Sequence, residues 1–173
     1  MITTDDSVAF FKIAVPGTYV IDPAKAKAEF NTKHMFGLGA VRGTFNISAG
    51  TIVITDGKVD IDVSLDAASF QTGQKRRDTD VRSAKFLNVT EHPTIAFHAV
   101  ATPGSQDLTG ALSVRGITEN VEVQISALRA TSADISATGT ARIDRYALGI
   151  TAAKGMAARY LDFTVEITAE LAT

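Results

Sequence analysis

KVDIDVSLDAASF, residues 58–70, alternates apolar and polar side chains almost without interruption. Val59, Ile61, Val63, Leu65 and Ala67 fall on one face of an extended chain, and Asp60, Asp62, Ser64 and Asp66 on the other. A period of two is what a strand needs when one face meets apolar surroundings and the other meets water. Residues 51–55 precede it, and Asp56-Gly57 between the two segments is a hairpin signal. The pair is expected to form a type I′ turn, whose positive φ angles match the twist of the flanking strands.

The rhythm extends in both directions. Upstream, residues 18–22 read as a short strand that Pro23 interrupts and residues 28–32 resume in bent or bulged form, because proline has no N–H for a central ladder. Residues 33–39 read as a connection and 40–47 as the next strand, with Val41, Phe45 and Ile47 turned to the core. Downstream, residues 94–102, 108–115, 121–128, 135–143 and 159–171 read as strands, the last in strict alternation from Leu161 to Leu171, and residues 116–120 read as a link. The small residues Ala137, Gly139 and Ala141 share one face and leave space beside them. About eight strands joined mostly by tight turns is the profile of an all-β, antiparallel, lipocalin-like barrel. A two-sheet sandwich needs the same one apolar face per strand, so periodicity leaves both open.

Residues 74–97, QKRRDTDVRSAKFLNVTEHPTIAF, are where the alternation stops. Charges crowd together, Val81 and Phe86 stand apart, and the strand pattern returns only after Pro93. The expected structure is a short helix and loop crossing one end of the β-structure, a lid if that structure is a closed barrel.

Composition bounds the function. A chain of 173 residues is expected to form one domain, with residues 1–15 as an N-terminal arm or extra edge strand and 16–173 as the barrel. Seventeen basic against nineteen acidic residues, with no basic stripe interleaved with aromatics, argue against a nucleic-acid partner. The absence of Cys excludes disulfides and thiol chemistry. Residues 8–15 (VAFFKIAV) follow Asp5 and Asp6 rather than positive residues and fall far short of the roughly 20 needed to span a bilayer, so neither a signal peptide nor a membrane span is expected. The expected location is the cytoplasm, or the periplasm or exterior if a leader has been removed.

Five segments carry a resemblance: GTYVIDPAKAKAEF from residue 17, KHMFGLGAVRGTF from 33, RDTDVRSAKFLNVTEHPTIAF from 77, LTGALSVRGITENVEV from 108, and RIDRYALGI from 142 with the terminal strand. In this order and spacing they resemble the YceI-like family of polyisoprenoid-binding or lipid-binding proteins, across about residues 17–171. The resemblance implies a closed eight-stranded antiparallel barrel whose internal apolar tunnel holds an extended isoprenoid or other amphiphilic lipid, often in a homodimer.

Little in the sequence points to catalysis. There is no Walker or Rossmann glycine loop, and His34, His92 and His98 lack a spacing that would place two metal ligands on one helix face. Ser69 and Thr72 have no histidine placed to act as their base. No catalytic residue, metal or cofactor is therefore expected, and the protein is read as a non-enzymatic binding, storage or transport protein for a lipid. The competing readings are an interaction module with a filled barrel and a lipid-modifying enzyme. The expected ligand-binding residues are the aromatic set Phe30, Phe36, Phe45, Phe70, Phe86, Phe97 and Phe163, together with Met35, Val81 and Leu148. Arg77 and Arg145 are candidates either for a polar head group at the tunnel mouth or for a structural ion pair with Asp78 or a neighbour. Asp78 or Asp80 is expected to cap the short helix.

Overall fold

The computed structural model describes residues 14–34 and 36–173. The expected N-terminal arm lies outside these residues except for Ala14 and Val15, and so does Met35. The described residues form nine strands: β1 (Gly17–Ile21), β2 (Lys27–His34), β3 (Gly39–Thr55), β4 (Lys58–Gln71), β5 (Thr94–Ala101), β6 (Asp107–Val114), β7 (Ile117–Ala130), β8 (Asp134–Asp144) and β9 (Tyr160–Leu171). Among the described residues one α-helix, α1 (Lys75–Arg82), lies between β4 and β5.

These nine strands make eight staves. Both β1 and β2 pair with β3 on one side and with β9 on the other, all antiparallel, so they are two halves of one stave. The break is a single 3-10 turn, Pro23–Lys25, in which Asp22 Oδ1 accepts from Ala24 N at 2.9 Å. Asp22 N still donates to Thr168 O, so the stave bends without leaving the wall. From there each strand pairs with its successor through to β9, which closes on the first stave. This is a closed, up-and-down antiparallel barrel, and closure leaves no long edge exposed.

Three details depart from expectation. The two segments read as separate strands upstream of Asp56 are one 17-residue strand, β3, which keeps its pairing across Ser48-Ala49-Gly50 by register shifts between Thr44 and Asn46 and between Ile47 and Ala49. Gly50 is required there: a Cβ would stand 2.5 Å from Ile21 Cδ1 and 2.7 Å from Asp62 O. The hairpin at Asp56-Gly57 has positive φ only at Gly57 and is not type I′. Both central residues are positive instead at Arg115-Gly116 (φ 53° and 77°), which turn β6 directly into β7 where a five-residue link was expected.

The two ends of the barrel differ. At one end the connections are the short β3–β4 turn and the loops at 102–106 and 131–133, over a floor packed around Tyr19, Ile21, Val59 and Ala169, each 1% exposed or less. The other end carries the 72–93 segment, the 115–116 turn and the 145–159 loop. It is the lid that the charged stretch predicted. None of the described helices is long and apolar enough to cross a membrane.

Candidate functional site: an apolar cavity under the lidded end

Alternation sends every second side chain of each stave inward. The inward residues do not meet at the centre. They surround a cavity of about 320 Å³, walled by Phe97 of β5, Leu112 of β6, Val123 and Ile125 of β7, and Leu161 and Phe163 of β9 among others. Many of these are only half buried although they point inward, because their accessible surface is the cavity surface.

The wall has two kinds of side. Phe30, Phe45, Phe70 and Phe163 form one aromatic cluster with ring centroids 5.4 to 6.2 Å apart. Phe30 leans over Gly43, where a Cβ would come within 2.2 Å of its ring. Alongside, β8, whose Ala141 pairs with Phe163 of β9, presents Ala137, Gly139 and Ala141, and these small residues open the space that larger ones would fill.

The lid is held by polar contacts behind its apolar underside. Val81, Phe86 and Leu87 face the cavity. Asp78, 5% exposed, accepts from Thr72 N with both carboxylate oxygens at 3.0 and 3.1 Å and also from Thr72 Oγ1, while Arg77 Nε donates to Thr72 Oγ1 at 2.8 Å. Asp78 therefore secures the turn from β4 into α1. It does not cap the helix: the N-cap is Gln74, with no side-chain bond. Arg82 donates to Phe70 O, Arg115 Nη1 to Phe86 O at 3.0 Å, and Ala67 N to Pro93 O at 2.9 Å, pinning the segment to the wall.

Arg145 organises the second half of the lid. Its guanidinium, 6% exposed, donates to four backbone carbonyls, Ala158 (2.8 Å), Ile150 (2.8 Å), Ala152 (2.7 Å) and Ala157 (2.9 Å), and stacks on the Tyr146 ring at 4.8 Å. Burial pushes its pKa below the usual value, and no carboxylate pairs with it among the described residues. The loop it gathers is closed at the base by Asp144, which accepts from Tyr146 N and forms a bidentate pair with Arg159 (2.9 Å from Nε and 2.6 Å from Nη2). The Arg159 hydrogen bond holds the Asp144 carboxyl below its ordinary pKa.

Of the expected ligand-contact residues, Phe30, Phe45, Phe70, Arg77, Val81, Phe86, Phe97, Arg145, Leu148 and Phe163 all line this one cavity. Met35 lies outside the described residues. Phe36 is not in the lining: it is 81% exposed, at φ 56° in the tight turn between β2 and β3, which throws its ring outward against Gly155. The structure adds Thr32, Lys33 and His34 at the end of β2, with Ala157 and Ala158 beside them. The lining thus extends to the rim of the barrel at the end of β2. Reading residues 33–39 as a connection concealed Lys33 and His34, because β2 continues to His34.

A closed up-and-down barrel with an apolar cavity under a helical lid defines the class: small β-barrels whose interior can hold one ligand. The chain belongs to the YceI-like family, whose YceI-like domain matches residues 19–172. Among curated relatives it is 35% identical over 119 residues to a UPF0312 protein of Azotobacter vinelandii (64% of this chain, 62% of that one) and 32% identical over 119 residues to one of Pseudomonas aeruginosa. The matches thus span less than two thirds of the length of these relatives. In fold it resembles BcnA of Burkholderia cenocepacia (TM-score 0.67, 19% identity, 88% of this chain and 99% of that one). It also resembles a polyisoprenoid binding domain from Saccharophagus degradans (TM-score 0.69, 13% identity, 89% and 98%).

Proposed function

We propose that the protein binds one long-chain amphiphilic lipid, isoprenoid in class, with its tail in the cavity and its polar head at the mouth, and that it stores or carries this lipid without altering it. The single observation that carries this reading is the cavity. At ~24 cal/mol per Å³, leaving about 320 Å³ empty forfeits ~8 kcal/mol of packing. That is comparable to the whole net stability of a typical domain, ~5–15 kcal/mol. Interiors are otherwise close-packed, so a void of this size has the character of a site. The Saccharophagus domain, described as polyisoprenoid binding, supports the same class of ligand.

Magnitude defines what the cavity selects. Each isoprene unit transferred from water contributes up to ~4 kcal/mol at ~0.8 per carbon group. About three units offset the ~8 kcal/mol of micromolar affinity together with an association cost of ~4 kcal/mol, and a higher cost calls for a longer tail. Tail contacts discriminate weakly, since one methylene is worth ~1–3 kcal/mol. Head-group choice falls to the mouth, which this reading sets at the β2–β3 hairpin, where Lys33 is exposed at the rim, His34 and Arg77 reach the lining, and no carboxylate among the described residues pairs with Lys33 or Arg77. An acidic or phosphorylated head fits these donors.

Native mass spectrometry of gently purified protein, followed by organic extraction, tests the reading. The expected result is a stoichiometric lipid with an isoprenoid mass ladder, and a doubled protein mass in the same spectrum for the homodimer. Protein that emerges empty and takes up no added prenyl lipid overturns the lipid reading. Chemical conversion of an added prenyl phosphate would instead establish the enzyme.

A further inference from the structure

The corner beside the mouth carries a second feature that lipid binding alone does not use. Phe36 and Leu38 in the β2–β3 turn and Met156 in the 145–159 loop are 81%, 89% and 62% exposed. They are not frayed loop tips. Phe36 N donates to Gly155 O at 3.0 Å, Ala158 N to Lys33 O at 3.0 Å, and Gly37 N to His34 O at 3.2 Å, so two loops are bonded into one projecting edge. The Phe36 ring lies on Gly155, where a Cβ would come within 3.0 Å of it. Three large apolar side chains held outward at the most exposed part of the rim lose contact with water only if something covers them.

Charge identifies the cover. The two segments that build this corner, 32–43 and 145–159, contain Lys33, Arg42, Arg145, Lys154 and Arg159 and not one Asp or Glu, in a chain of net charge −2. Lys33 and Lys154 are exposed and pair with no carboxylate among the described residues. Carboxylates gather on the outer wall toward the opposite end, where Asp60, Asp107, Glu122, Asp134 and Glu170 stand. The barrel is thus electrically polarised along its axis, cationic where it is apolar and anionic away from there. Arg145 is buried and Arg159 is paired with Asp144, which leaves Lys33, Arg42 and Lys154 as the exposed cations beside the apolar tips. This arrangement matches the layering of an anionic bilayer, with acyl chains beneath negative head groups.

We infer that the Phe36–Leu38–Met156 edge docks on an anionic phospholipid membrane and sets the cavity mouth against the lipid surface. This deepens the lipid reading and rests on it for its purpose: a tail passes between bilayer and cavity without crossing water. The polarity of the molecule orients its approach mouth first. Each cation that reaches the surface strengthens partitioning roughly fivefold, and salt screens that part of the attraction.

Vesicle co-sedimentation tests docking, and nile red uptake from solution reads the cavity separately. The wild-type chain is expected to bind phosphatidylcholine vesicles containing phosphatidylglycerol well above pure phosphatidylcholine, and less as salt rises. The paired change Phe36→Ser and Leu38→Ser should reduce that binding about tenfold or more, and Lys154→Glu should lower it severalfold. None of these residues lines the cavity, so nile red uptake is expected to persist. Loss of nile red uptake in the wild type with vesicle binding intact and dependent on Phe36 and Leu38 would sink the cavity reading and leave docking standing. Docking is overturned if wild-type protein ignores anionic vesicles, if the serine variant binds them as well, or if removing Phe36 and Leu38 abolishes self-association instead, which would make a second copy the occupant.

Discussion

Arg145 has become buried without a carboxylate partner, and its geometry explains how. A planar fork with five donors reaches four carbonyls of a loop that meets the wall strands only around the His34–Ala157 bridge, so one charge replaces several missing ladder bonds. Removing it would strand carbonyls that each cost ~1–3 kcal/mol when buried and unpaired. Arg145→Met is therefore expected to lower stability by about 3 kcal/mol or more, and Arg145→Lys to recover little of it, since an ammonium cannot span four acceptors. Urea unfolding of the two variants measures this, and a lysine variant as stable as wild type would defeat the account. The sequence put Arg145 and Arg77 in the same class, as head-group cations or members of an ion pair. Only the fold separates them. Arg145 is spent on carbonyls supplied from residues 150–158, whereas Arg77 has one bond, to Thr72, and faces the cavity. Phe36 is the opposite case: it shares composition with the six phenylalanines that do line the cavity, and only its position in a turn with positive φ sends it outward.

Among the elements, the staves were legible and the ends were not. Period two marks any strand with one wet face, and Leu161 to Leu171 or Val59 to Ala67 leave no doubt about which side faces in. The unbroken β3 was hidden because Ser48-Ala49-Gly50 looks like a turn until Ile21 is seen packed on Gly50. The reach of the β2–β3 hairpin and the fold of the 145–159 loop depend on contacts between segments more than a hundred residues apart, for which local pattern carries no signal. That loop also has a pH sense. The folded-state pKa of Asp144 is depressed by Arg159, so the stabilisation it provides is present above the ordinary carboxylate range and is lost as pH falls through and below ~4. Hydrogen exchange in residues 145–159, taken relative to the intrinsic rate at each pH, is expected to accelerate as pH falls through and below ~4, more than in wall strands β3 and β4. Asp144→Asn should reproduce the faster exchange at neutral pH, because it retains an acceptor for Tyr146 N and loses the ion pair with Arg159. Equal acceleration across the wall would refute a local effect.

At the scale of the whole molecule, the barrel trades stability for volume, and the trade can be reversed on β8. Ala137 and Ala141 face the cavity from a strand whose outer side is polar and whose pairing with β9 is continuous from Asp134 to Asp144. Replacing both with leucine adds three carbon groups at each site without disturbing a hydrogen bond. At ~0.8 kcal/mol per buried carbon group, complete burial is worth up to ~5 kcal/mol, less whatever strain the new rotamers carry. A gain of even ~2 kcal/mol would raise the melting temperature of lipid-free protein by about 4–8 °C for a chain of this size. The same substitution removes room for the tail, so lipid capacity should fall by about tenfold or more. Stability and capacity are thus expected to move in opposite directions, which a packed core does not allow: there, two added leucines overpack and destabilise. Thermal unfolding of lipid-stripped wild type and double variant, with nile red titration of each, reads both quantities. A variant that is less stable than wild type would mean the space beside β8 is already filled, and the cavity could not then be the ligand site.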